Sequence, residues 1–243
     1  MAVLALTVPA WELAVRWLHL RPYILPAPSA IWSAFLDTRG TLPGHTVTTL
    51  REAVLGIAYG AAVGVGLATL LATVPFLRRT LYPILVASQT IPMIVLAPIL
   101  IIWFGFGETP KVVLVALWTF FPVAVAMTDG LLNADRELID LVRSMGGGRL
   151  QVLRIVLVPS ALPALFAGLK ISATYAVAAA VIAEYMGAQS GLGLYISRSS
   201  ASFRTDQIFV AIGIIALASM ALFATMHLLA RIATPWVYAN QGR

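Results

Sequence analysis

Cysteine is absent from the 243-residue chain, which excludes a disulfide framework, a thiolate nucleophile and any Cys-ligated zinc or iron–sulfur centre. Charge is scarce as well: 11% of the residues are Asp, Glu, Lys or Arg, where a soluble domain carries about 25%. With 60% hydrophobic residues beside so little charge, a soluble globule of this size is excluded. The three histidines, His19, His45 and His227, stand far apart and match no metal-ligand spacing, so no metal is expected. There is no G-x-x-x-x-G-K-[ST] run, and Gly146-Gly147-Gly148-Arg149 lacks both the spacing and the lysine of a phosphate-cradling loop. Any ATP chemistry must then belong to another chain, and no cofactor is expected on this one. Ser160 and Lys170, ten residues apart on one helix, would be separated by about 15 Å and make no catalytic dyad. The expectation is a protein without covalent chemistry of its own. Its net charge of +6 comes from basic residues scattered among apolar runs. That pattern argues against a nucleic-acid surface and suits contact with anionic lipid headgroups.

What is present is a series of long uncharged runs. A helix crosses a hydrocarbon core of about 30 Å with about 20 apolar residues. Ala53–Leu77, Thr80–Gly107, Val112–Thr128 and Gln207–Ala230 are uncharged throughout, which predicts four spans. A fifth runs from about Ser160 to Tyr185, interrupted by Lys170. A sixth, Ala2–Leu20, contains Glu12 and Arg16 at a spacing that lets the two charges pair on one face. This first segment lacks a basic leader and is expected to be retained rather than cleaved. Six spans place both termini on one side. With the termini inside, the inner segments hold Arg78, Arg79, Arg136, Arg143, Arg149, Arg154, Arg231 and Arg243, against Arg21, Arg39, Arg51, Lys111, Arg198 and Arg204 outside. The bias favours cytoplasmic termini weakly.

Within the spans, Gly56, Gly60 and Gly64 recur every four residues and present a face without side chains to a neighbouring backbone. Pro83, Pro92 and Pro98 fall in the second run, where each removes a backbone donor and tends to kink or break a helix. Broken backbone at membrane depth is tolerated where it is buried in protein or lines a cavity. Ser88-Gln89-Thr90, between these prolines, is therefore either a lining of a translocation path or a set of interhelical hydrogen bonds. Trp118, Phe120, Phe121 and Tyr175 are further lining or gating candidates. Such a lining suits an aromatic heterocycle, whose edges an amide can hydrogen-bond and whose faces rings can stack on. A small anion would favour cationic groups or helix N-termini instead. Lys170 is either functional or snorkels to the interface. Glu184 is either a gate or helix tether, or an interfacial anchor.

The most charged stretch lies between the fourth and fifth spans. Leu138, Leu141, Val142 and Met145 make one apolar face of a short helix that Asp135 caps and the triple glycine ends. A second short helix is expected from Arg149, with Leu150, Leu153 and Leu157 on one side, ending at Pro159. Two short helices joined by a sharp bend form either a docking knob or an ordinary connector.

Asp140-Leu141-Val142, three residues, Gly146, nine residues and Val156-Leu157-Val158-Pro159 resemble the EAA loop of permease subunits of binding-protein-dependent ABC importers, E-A-A, three residues, G, nine residues, I-x-L-P. The spacing agrees throughout; Asp replaces Glu, and Leu-Val replaces the alanine pair. Leu25-Pro26-Ala27-Pro28-Ser29-Ala30, Trp103-Phe104-Gly105-Phe106-Gly107, Phe120-Phe121-Pro122, Leu162-Pro163, Gly168-Leu169-Lys170, Ala183-Glu184 and Gly191-Leu192-Gly193 are similar to the nitrate/sulfonate/taurine branch. Ser88-Gln89-Thr90-Ile91-Pro92 with Leu96-Ala97-Pro98 looks most like permeases for thiamine-precursor pyrimidines or riboflavin. The resemblance implies an all-α membrane protein of the type I importer permease fold, a single domain over 1–243 with core spans over about 48–235 and a coupling loop over 134–159. It implies a bacterial inner-membrane homodimer with two cytoplasmic ABC ATPase subunits that bind ATP and Mg, and an extracytoplasmic solute-binding protein. Asp140, Leu141, Val142, Gly146, Arg149, Val156 and Pro159 would then meet the ATPase. The importer reading competes with a passive pore, which leaves the glycine-bent loop without a role. It also competes with an intramembrane enzyme, for which no nucleophile–base pair or metal cluster is found.

Overall fold

The computed structural model describes residues 2–239, nearly all of them helical. In chain order the helices are α1 (Ala2–Trp17), α2 (Pro28–Thr38), α3 (Leu42–Thr73), α4 (Pro75–Ser88), α5 (Met93–Phe104), α6 (Thr109–Leu132), α7 (Arg136–Ser144), α8 (Arg149–Val152), α9 (Val158–Glu184), α10 (Leu192–Ala201), α11 (Thr205–Ala233) and α12 (Pro235–Ala239). A π-helical turn, Leu153–Leu157, joins α8 to α9 without interruption. Arg243, counted in the charge comparison, lies outside the described residues.

The heart of the molecule is α6, packed along α3 on one side and α9 on the other, with α11 closing on α9. Small residues dictate this arrangement. Ala53, Ala173, Ala176, Ala179 and Ala180 are fully buried with Val115 and Val177. Gly60 sits so close to α6 that a Cβ there would lie 2.8 Å from the Ala116 carbonyl and 3.0 Å from the Phe120 nitrogen. Gly168 brings α9 equally close to the other side of α6, at the Pro122 carbonyl. Between lipid-facing helices no hydrophobic force drives association, so close packing and interhelical hydrogen bonds do. Here Thr119 Oγ1 donates to Gly56 O at 3.2 Å, and Ser172 Oγ donates to Thr119 O at 2.8 Å. The glycine stripe is thus a packing surface.

The spans differ from those expected in three ways. Four continuous helices are long and apolar enough to cross a membrane: Leu42–Thr73, Thr109–Leu132, Arg149–Glu184 and Thr205–Ala233. Two of them, Leu42–Thr73 and Arg149–Glu184, begin well before the expected spans, and Glu52 and Lys111 pair inside the bundle rather than marking its edge. The run Thr80–Gly107 is two helices, α4 and α5, bent by 97°. The break falls at Pro92, the extended residue that precedes α5, while Pro83 and Pro98 are absorbed inside their helices. At 16 residues, α1 is shorter than a full crossing needs, so a sixth span is not found among the described residues. The expected pairing does occur there: Arg16 Nε donates to Glu12 Oε1 at 2.8 Å, and Glu12 also accepts the backbone and hydroxyl hydrogens of Ser29 in the first turn of α2.

Candidate functional site

Helix α7 stands outside the bundle at one end of the molecule. Asp135 is extended (φ −61°, ψ 120°) and its Oδ1 accepts the Glu137 N–H at 2.8 Å, satisfying a donor of the first turn. The other end closes as a Schellman motif: the Gly147 N–H bonds back to Val142 O and the Gly146 N–H to Arg143 O, both at 2.9 Å. Gly146 holds the left-handed conformation this requires, with φ 84°. Leu141 and Met145 are 55% and 79% exposed on an apolar face that no part of the described chain covers. Asp140 and Arg149 are exposed beside them, and Val142 is half-buried.

The second short helix does not end at Pro159, as expected. It continues as Arg149–Glu184, and Pro159 sits in the first turn of α9, half-buried. The wide π turn just before it accommodates a ring that cannot donate and that clashes with the preceding turn. Val156, grouped with the loop residues, points into the protein at 4% exposure and supports the helix rather than its outer surface.

At the broken span the hydroxyls serve local backbone. Ser88 Oγ donates to Leu85 O at 2.7 Å and Thr90 Oγ1 to Ala87 O at 2.8 Å. Gln89 is left with a buried Nε2 that has no partner. No residue of α4 is buried, and the helix leans on α3. Of the aromatic candidates, Trp118 packs against the core of α3, α6 and α9, Phe120 and Phe121 are half-buried, and Tyr175 is exposed. Lys170 is half-buried.

Glu184 lies about 50 Å along the Arg149–Glu184 helix from the α7 end. It is 1% exposed, so it is not an interfacial anchor. Its two oxygens accept from Thr49 Oγ1 at 2.6 Å and from the Gly193 N–H at 2.5 Å. The neighbouring N–H groups of α10 are held in the same way: Leu192 donates to Thr49 Oγ1 at 2.9 Å and Gly191 to His45 Nδ1 at 3.0 Å. Side chains from α3 and α9 therefore cap the start of α10, where free donors and the positive end of the helix dipole favour an acceptor. Gly191, at φ 121°, and Gly193 have no room for a side chain against Glu184. Beside this latch, Lys111 Nζ and Glu52 Oε1 form a buried ion pair at 3.1 Å, and Arg51 pairs with Glu108 at 2.9 Å. Arg51, Glu52, Glu108 and Lys111, with Thr48 and Ser190, line a pocket of about 260 Å³. Glu52 and Lys111 were missed by sequence reasoning because a charge beside an apolar run reads as the run's boundary, and Thr49 because a lone neutral hydroxyl carries no signal of its own. Among the described residues no group of three or more His, Asp or Glu side chains is placed to hold a metal.

A capped helix ending in a glycine bend outside a small-residue bundle, with one apolar pair of helices broken at a proline, describes a helical bundle able to span a membrane and presenting an exposed helix at one end. The chain belongs to the family of binding-protein-dependent transport system inner membrane components, which it matches over residues 60–238. It is an ABC importer permease subunit. The formylaminopyrimidine transport permease protein ThiX of Halalkalibacterium halodurans is 37% identical over 93% of this chain and 90% of its own length. The riboflavin transport system permease protein RibX of Chloroflexus aurantiacus is 35% identical over 96% and 88%. Among solved structures, a chain of the MetNI methionine ABC transporter in an inward-facing conformation shares the fold, with a TM-score of 0.70 and 22% identity over 79% of this chain and 95% of that one. As an importer permease, the chain works with a binding protein and with an ATPase that resides in a separate subunit.

Proposed function

We propose that two copies of this chain form the translocation path of an ATP-driven importer for a nitrogen heterocycle, either a pyrimidine vitamin precursor or riboflavin. The observation that carries the substrate class is the similarity to ThiX and RibX over almost the whole chain. The unpartnered Gln89 amide at the broken span is consistent with it, since an amide recognises ring edges through paired donor and acceptor. In this reading α1 completes six spans, with the broken pair counted as one, and both termini are cytoplasmic. Helix α7 and the exposed residues around it seat on a cytoplasmic ATPase, while the α10 end faces the solute-binding protein. Glu184 acts there as a tether of α10 and thereby as part of a gate. The chain itself performs no catalysis, and ATP and Mg reside on the partner.

Uptake of the labelled heterocycle by cells carrying the complete transporter tests this. Competition by formylaminopyrimidine or riboflavin is expected, and competition by taurine or nitrate alone would reverse the substrate choice. Cysteine placed at Gln89 is expected to react with a membrane-impermeant thiol reagent in a nucleotide-dependent way. Absence of labelling in every nucleotide state removes Gln89 from the path. Asp140→Ala is expected to act mildly: Asp140 is 76% exposed and lies 3.8 Å from Arg143, so substrate-stimulated ATPase activity should fall only about two- to fivefold.

A further inference from the structure

We infer that the pocket between the start of α4 and the end of α6 binds the headgroup of an anionic phospholipid, with Arg78 and Arg79 on its phosphodiester and Asp129 accepting from the hydroxyls of a glycerol headgroup. The pocket holds about 390 Å³. It lies at the α7 end of the molecule, where α3 gives way to α4 at Pro75 and α6 closes at Leu132. Arg78, Arg79 and Tyr82 line it from α4, and Thr128, Asp129 and Leu132 from α6. Its volume is many times the ~30 Å³ share of one water, so it has room for a headgroup and not only for a single ion.

The charges in the pocket choose the ligand. Arg16, Arg51, Arg143 and Arg204 are each paired with a carboxylate, whereas neither Arg78 nor Arg79 has an ion-pair or side-chain hydrogen-bond partner among the described residues. Asp129, the acid in the lining, is exposed and makes no ion pair either. Two guanidinium groups and one carboxylate leave the pocket with one net positive charge, which one phosphodiester neutralises. A guanidinium fork matches two phosphate oxygens at once, and the Tyr82 hydroxyl is a further donor. Asp129 accepts hydrogen bonds and gives none, so hydroxyls on the headgroup suit it. A zwitterionic headgroup would bring its own cation and leave the positive charge uncompensated. Thr128 serves only as wall, because its hydroxyl is spent on Ala124 O at 2.6 Å.

The surface beside the pocket suits the rest of a lipid. No residue of α4 is buried, and Phe76, Ile84 and Leu132 stand exposed, so acyl chains leaving the pocket meet apolar side chains. Basic pockets between membrane helices are where anionic headgroups bind, and the unpaired arginines make this pocket one of them. Helix α4 leans on α3, so a headgroup held by α4 and by Asp129 of α6 ties the root of the broken span to the heart of the bundle. None of the transport roles above uses this pocket.

The test titrates short-chain phosphatidylglycerol into the full-length protein in neutral detergent, reads binding by native mass spectrometry, and does not depend on which solute is carried. Phosphatidylglycerol is expected to bind about tenfold tighter than phosphatidylcholine of the same chain length. Arg78→Gln/Arg79→Gln should erase that preference. Arg39→Gln/Arg154→Gln, which removes the same charge from two exposed sites outside the pocket, should keep it. Tyr82→Phe removes one donor and should weaken phosphatidylglycerol binding about two- to fivefold. In Asp129→Ala the preference for phosphatidylglycerol over phosphatidylmethanol, which has the same charge and no headgroup hydroxyl, should disappear. A wild-type protein with no headgroup preference overturns the proposal, whether or not the variants fold. Retention of the preference in Arg78→Gln/Arg79→Gln overturns it equally, and so does equal loss in both double variants, which would mean diffuse attraction to charge. Displacement of the lipid by an equal concentration of glycerol 3-phosphate overturns the lipid assignment in favour of a soluble phosphate ester.

Discussion

Gly146→Val is expected to abolish uptake while leaving the protein in the membrane at normal abundance. At φ 84° Gly146 lies in the left-handed region, where a non-glycine residue costs roughly 1–2 kcal/mol and a β-branched one more. A Cβ there would meet nothing within 4 Å, so the effect is one of backbone conformation and not of crowding. Helix α7 is nine residues long and touches the bundle little, so it has no reserve of packing with which to hold a strained end. The helix would fray or run on in another direction, and the apolar face of Leu138, Leu141 and Met145 would be re-aimed. Measured together, uptake should fall below a tenth of wild type and ATPase copurification should fail, while the melting temperature of the bundle barely moves. Normal uptake in this variant would show that the bend has no part in coupling.

Gly60→Leu is expected to leave no folded protein at all. Even a methyl group at this position meets the Thr119 hydroxyl and the Ala116 carbonyl, the latter at 2.8 Å. These belong to the middle of α6, which is pinned from its other side by α9 at Gly168, so neither helix can retreat. Forced apart, α3 and α6 would also lose the Thr119 hydrogen bond to Gly56 O. Gly60→Ala should fold but lose about 1–3 kcal/mol, the usual cost of overpacking. Gly66, on the same helix with open space around it, is the control: Gly66→Ala should be neutral or gain up to about 1 kcal/mol from helix propensity. Detergent melting curves and membrane abundance separate the three, and equal effects at 60 and 66 would refute the close-packing account.

Local structure was largely legible from the residues alone. Asp135 as a cap and Gly146 as a stop follow from short-range chemistry, since a side-chain oxygen and a left-handed glycine act within a few residues. The glycine stripe on α3 was legible as a close-packing face because its period matches the helix. What faces it was not, because nothing near Gly60 in sequence points to Thr119. Pro92 illustrates the intermediate case. Three prolines were visible and any of them qualified as a break, yet Pro83 and Pro98 are tolerated inside helices and the turn forms at one site.

The amino-acid sequence by itself determined that this is a helical membrane protein, that the stretch from Asp135 to Gly148 is a capped helix with a glycine bend, and that the chain resembles an importer permease. These conclusions rest on composition, periodicity and spacing, which are properties of neighbours along the chain. Only the tertiary structure decided that Glu52 and Lys111 are interior partners, that Glu184, Thr49 and His45 together cap α10, and that Val156 is turned inward. The physical reason is burial. A charged residue near the end of an apolar run is stable in water or in a bundle, and which applies depends on whether a helix more than a hundred residues away, as α9 is from Thr49, brings it a partner.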